Sequence, residues 1–168
     1  MQTYYEKRQP EYEAIYAKPE RQADLQWMRD QLSAMVAGKR VLELEQTGSV
    51  PRFDAASIDC VVAGFLYSHV LHAQQVPFLS GLQSTFAPNA ALILFDNQYV
   101  EGSSTPIHHT TSTGDTYQRR SLRDGSEHDV LKNFPTKEGL QQTLQPFCNN
   151  VIVQTSTYFW LATGNLRG

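Results

Sequence analysis

Two rhythms of apolar residues alternate along this chain. Runs of strand length occur at 41–44, 58–65, 91–95, 151–155 and 158–163. Between and around them, apolar residues recur at helical spacing. Leu25, Met28, Leu32, Met35 and Val36 predict a helix over 20–37 that Gly38 stops. Val76, Leu79, Leu82 and Phe86 predict one over 74–86. Leu140, Leu144 and Phe147 predict a third over 133–147 with Thr136 as its N-cap, although Gly139 costs it roughly 1 kcal/mol against Ala. At the start, Tyr5, Tyr12 and Tyr16 fall on one face of a helix that Lys18-Pro19 ends.

The segments 116–122 and 127–131 flank Asp124-Gly125 and read as a β-hairpin. Residues 107–114, with His108 and His109 among Thr and Ser, read as a surface loop. The first two apolar runs read as parallel strands, and parallel neighbours need a crossover of roughly a dozen or more residues. Residues 45–57 hold Gly48, Pro51 and no helical period, so a helical crossover is not expected there. The chain is thus expected to be α/β, with helical segments at 1–38, core strands over 40–100, a hairpin insertion at 105–132 and a last helix and terminal strands at 133–168.

Candidate chemistry gathers where parallel strands end, because ligands of open α/β sheets bind outside the carboxyl ends of the strands. Tyr67, Ser68 and His69 follow one central run, and Asp96, Asn97 and Tyr99 follow the next. Tyr67 and His69 are read as proton-handling residues, since an imidazole exchanges protons near neutrality. Asn97, Tyr99 and Arg119 are read as substrate contacts, and Tyr5 and Tyr12 as further contacts from the N-terminal helix. Arg119 could fork onto a carboxylate or phosphate, or pair on the surface with Glu127 or Asp129. No third ligand stands at metal-site spacing from His108 and His109, so no metal site is expected. Cys60 reads as a buried thiol and Cys148 as a loop thiol, with no disulfide between them.

The order of the runs resembles class I S-adenosylmethionine (SAM)-dependent methyltransferases. VLEL, FDAASIDCVVAGF and ALILFDNQYV resemble that family's first, fourth and fifth strands, and NFPTKEGLQQTL with NVIVQTST and YFWLATGNL its last helix and terminal antiparallel strands. The resemblance implies a shortened Rossmann-like sheet of about five strands, last pair antiparallel, with flanking helices and an inserted β-hairpin. In that family a Gly-rich turn after the first strand approaches the cofactor, and the second strand ends in an acid that grips the ribose. Here the turn carries Glu45, Gln46 and the single glycine Gly48, and the second and third strands have no counterpart, a gap on the order of 50 residues. No cofactor is therefore expected to bind in the usual way, though SAM follows if the resemblance extends to function. The expected protein is a degenerate methyltransferase-like domain that acts on or binds a small molecule of metabolism. A non-catalytic partner of an intact methyltransferase and a still-active small-molecule methyltransferase are the alternatives, so enzyme status stays open.

Losing two strands leaves the first run at a sheet edge, where an unpaired ladder invites a second chain, so a homodimer or heterodimer is expected. Size and charge add little more. The 168 residues fit one domain, and a net charge of −3 argues against a nucleic-acid partner. No run reaches the roughly 18 apolar residues of a membrane span, and the polar start has no signal-peptide core, so a cytoplasmic protein is expected.

Overall fold

The computed structural model describes residues 18–45, 54–122 and 124–168. Its strands are β1 (Val41–Glu43), β2 (Cys60–Gly64), β3 (Ala91–Asn97), β4 (Ile107–Thr110), β5 (Thr116–Ser121), β6 (Glu127–Leu131), β7 (Cys148–Thr155) and β8 (Phe159–Leu166). The helices are α1 (Gln22–Val36), α2 (His72–Thr85) and α3 (Lys137–Leu144). One sheet has the order β1-β2-β3-β8-β7, parallel through β3 and antiparallel thereafter; the other is the antiparallel β4-β5-β6.

The period of two in the strands sorts their side chains into two cores. Val61, Ala63, Leu92, Leu94, Trp160 and Ala162 face α2 and α3, meeting Leu79, Leu82, Leu140 and Leu144. Cys60, Val62, Ile93, Phe95, Phe159 and Leu161 face α1, meeting Met28 with Leu25, Leu32 and Met35 around it. Each central strand is buried on both faces, as parallel strands are. After α1, Gly38 takes φ +70° and Lys39 N–H returns to the Val36 carbonyl at 3.0 Å, which delivers the chain to β1.

β1 follows the expected edge position. It pairs with β2 alone among the described strands, and Val41 is 41 % exposed. Arg40 forks onto Asp59 at 3.2 Å at the entry to this pair; both are exposed, so water screens the bridge and it adds little to stability.

Three expectations need correction. Residues 107–110 form β4 rather than loop, because they pair as a third strand with the expected hairpin, which is present as β5 and β6. Cys148 is buried in β7 opposite Leu166 rather than in a polar turn, and burial pushes its thiol up to about 11. The last helix begins at Lys137, not at 133. Thr136 caps it, accepting from Gly139 N–H at 3.0 Å, and Asn133 is instead buried in a polar network. The N-terminal tyrosine stripe with Tyr5 and Tyr12, and the turn after Glu45 with Gln46 and Gly48, lie outside the described residues.

Candidate functional site

The chain leaves β2 through Phe65, a non-glycine residue at φ +53°. That left-handed conformation is held by Phe65 N–H donating to the Phe95 carbonyl at 2.8 Å and by edge-on ring contacts with Phe95 and Phe159. Just before it, a Cβ at Gly64 would run into the Phe95 ring, so this close approach needs glycine. The bend throws the next residues into a single 3₁₀ turn, Tyr67–His69, beyond the carboxyl ends of β2 and β3.

Neighbouring residues of this turn go different ways. Tyr67 packs among the helices, edge-on to Trp160 with ring centroids 6.2 Å apart. It is 1 % exposed, its hydroxyl has no hydrogen-bond partner, and burial pushes its pKa up, so it stays a protonated donor. Beside it lies a cleft of about 190 Å³ whose lining includes Tyr67, His72, Gln75, Pro135, Thr136 and Leu140.

Ser68 and His69 turn toward the insertion. Asp96, at the end of β3, is fully buried and accepts from Lys132 Nζ at 2.5 Å, from Asn97 N–H at 2.7 Å and from Ser68 N–H at 3.3 Å. Lys132 Nζ also donates to Ser68 Oγ at 2.7 Å. Burial alone would raise the Asp96 carboxyl, but the Lys132 ammonium, His69 and these donors outweigh it and hold it below the usual range. His69 donates from Nδ1 to the Leu131 carbonyl at 2.5 Å. Burial, with the Lys132 charge beside it, drives its pKa down to about 3, so the imidazole is neutral at physiological pH.

A second polar knot adjoins the first. Asn133 donates from N–H to the Ser68 carbonyl at 2.8 Å and from Nδ2 to Asp115 at 3.0 Å and to the Val70 carbonyl at 3.2 Å, while Oδ1 accepts from Thr116 N–H at 2.8 Å. Asp115 also accepts from His72 N–H at 2.8 Å and Thr113 Oγ1 at 2.9 Å. Burial opposes its ionisation, but these bonds win and hold its carboxyl low.

Of the residues expected to form a site, Tyr67 and His69 share a turn but serve different sides of it. Asn97 borders the Asp96 pair. Tyr99 packs on Phe134 at 5.3 Å and donates to Glu101 at 3.0 Å. Arg119 forks onto Asp129 at 2.9 and 3.1 Å on the exposed face of the insertion, the surface pairing weighed in the sequence. The sequence reading missed Lys132, Asn133 and Asp115. The signal for the first was a lysine inside the apolar stretch Val130-Leu131-Lys132-Asn133-Phe134; a buried charge there needs a partner. Asp129, across the sheet, lies close to His108 and His109 in the fold.

β1 and β2 are direct neighbours joined by residues 44–59, which leaves no length for two further strands between them. No protein-family model matches the chain, and no curated protein matches it. Solved structures do. The DhpI–SAM–HEP complex aligns over 96 % of this chain and 94 % of its own, at 18 % identity and a TM-score of 0.67. The DhpI–SAH complex aligns over 66 % and 48 %, at 21 % identity and a TM-score of 0.50. A SAM-dependent methyltransferase of Methanosarcina mazei aligns over 71 % and 64 %, at 15 % identity and a TM-score of 0.50. This chain therefore spans about half the DhpI chain of the SAH complex and under two thirds of the archaeal one. These likenesses give it the fold of class I SAM-dependent methyltransferases.

Proposed function

We propose, from the fold shared with class I SAM-dependent methyltransferases, that this chain is a shortened form of that architecture that has lost the usual cofactor grip and holds a small molecule instead. The observation that carries this reading is the direct pairing of β1 with β2 across residues 44–59. That length removes the strand whose acid would hold the ribose.

The small molecule is assigned to the cleft beside Tyr67. At about 190 Å³ it is smaller than the roughly 300 Å³ of a drug-sized site, so it suits a ligand of few heavy atoms. Tyr67 offers such a ligand a buried, unpaired O–H, and an acceptor atom would satisfy it. His69 stays a neutral imidazole whose folded pKa near 3 makes it too weak a base to take a proton near neutrality, so its proposed part in proton handling is as a donor, with its Nδ1–H held on the Leu131 carbonyl. Asn97, Tyr99 and Arg119 are assigned to the outer crevice. A ligand there would take Tyr99 and Arg119 from Glu101 and Asp129. Among the described strands β1 has an unpaired edge with Val41 exposed, which supports a dimer; metabolic and cytoplasmic roles are proposed with it.

One observation favours a second reading, methyl transfer with the cofactor held in another way: the structure matched over 94 % of its own length is described as a complex with SAM. Calorimetric titration with SAM and with S-adenosylhomocysteine, with light scattering alongside, separates the two. The first reading expects no heat at micromolar ligand and a mass about twice 19.0 kDa. Micromolar binding of either ligand would replace it with the second, and a monomer would remove the dimer.

A further inference from the structure

We infer that His108, His109 and Asp129 form a surface site for a first-row divalent cation, zinc foremost, with a fourth position open to water or a ligand oxygen. Their ligating atoms all lie within 4.8 Å of one another. Two imidazoles and a carboxylate are a donor set that suits such cations, and three protein ligands are the number that leaves a position open.

Adjacent residues of a regular strand point to opposite faces, so His108 and His109 would ordinarily diverge. β4 is irregular at this point: its register against β5 shifts between Ile107 and His109, opposite Gln118 and Tyr117. A shift of this kind re-aims a side chain, and here it accompanies two imidazoles whose centroids are 5.6 Å apart. The His109 ring lies flat on Tyr117, with centroids 4.7 Å apart and an angle of 5°, which fixes its plane. Asp129 arrives from β6, opposite Arg119. Arg119 holds its two oxygens at 2.9 and 3.1 Å. A cation taking one oxygen leaves the other to Arg119, the kind of outer partner that orients a metal-bound carboxylate.

Tetrahedral coordination at about 2.0–2.2 Å places ligand atoms roughly 3.3 Å apart, so the side chains must close in by up to about 1.5 Å. All three residues are exposed, so His108 and Asp129 can close in on His109 while it stays stacked on Tyr117. The Arg119 charge opposes a cation nearby, so the affinity expected is micromolar rather than that of a closed structural zinc site.

The full chain titrated with zinc alone, and with cobalt alone, tests this. The expectation is one ion per chain, the intense visible absorption of four-coordinate cobalt, and NMR shifts confined to two of the five histidines. His109→Ala and Asp129→Asn should each weaken zinc binding by about tenfold or more, whereas His128→Ala should not. Zinc binding unchanged in Asp129→Asn, or lost in His128→Ala, would overturn the assignment. So would no uptake at a hundredfold excess of metal by protein whose circular dichroism is native.

Discussion

Lys132→Met probes the centre of the molecule. The substitution keeps most of the aliphatic stem and removes the ammonium that lies 2.5 Å from Asp96 Oδ1 and 2.7 Å from Ser68 Oγ. The Lys132 and Asp96 side chains are 5 % and 0 % exposed, so water cannot replace what is lost. Removing one partner of such a pair leaves an uncompensated charge and costs about 3–5 kcal/mol. In a chain of this length each kcal/mol moves the melting midpoint by roughly 2–4 °C, so the fall should be on the order of 6–20 °C. The pH dependence gives a sharper test. In the native protein the Asp96 carboxyl titrates below its ordinary 3.8, so the pair's stabilisation is present above that value and lost as pH falls through the lower folded one. Without Lys132, burial dominates and raises the folded pKa, so the variant loses stability as pH rises above about 3.8. The two proteins should therefore be close in acid and furthest apart at neutrality. Urea denaturation across pH reads this difference. A loss below about 1 kcal/mol at neutral pH, or an equal gap in acid, would refute the reasoning. Asp96→Asn added to Lys132→Met should recover part of the loss, because no buried charge then stands alone.

Two further outcomes follow from the same turn. Tyr67→Phe deletes a buried hydroxyl that has no partner, so it should leave the melting midpoint unchanged or raise it; a loss above about 1 kcal/mol would mean the hydroxyl is bonded. His69 has a folded pKa near 3 against an ordinary 6.5, so the unfolded chain binds its proton first. Stability should fall as pH drops below about 6.5 and go on falling toward 3, and His69→Gln should flatten that limb in pH-resolved denaturation.

The sheet was legible because its signals are local. Val61-Val62 and Leu92-Ile93-Leu94 are apolar on both faces, Gly38 marks a helix end, and Thr136 stands three residues before the amide it caps. The position of β1 at an edge followed from the length of 45–57. What could not be read depends on partners distant in sequence. Lys132 looks like a solvated charge until Asp96, 36 residues earlier, is placed against it. Asn133 reads as the start of a helix until Ser68 and Asp115 claim its polar groups. β4 is exposed along its whole length, so it carries no alternation, and its pairing exists only through β5. The approach of Asp129 to His108 and His109 crosses that same sheet and leaves no spacing in the sequence.

The Asn133 carboxamide spans elements that share no strand. Through it and Asp115, Val70 after the 3₁₀ turn, the first residue of α2 and the start of β5 are tied by buried and part-buried hydrogen bonds. Opening the insertion away from the main sheet would strand several of these donors and acceptors at once, each at about 1–3 kcal/mol. The insertion thus has no hinge of its own at this end. Its amides at β5 and β6 should exchange with solvent in the same cooperative event as those of β2 and β3, and a displacement imposed on β6 would be felt at the Tyr67–His69 turn.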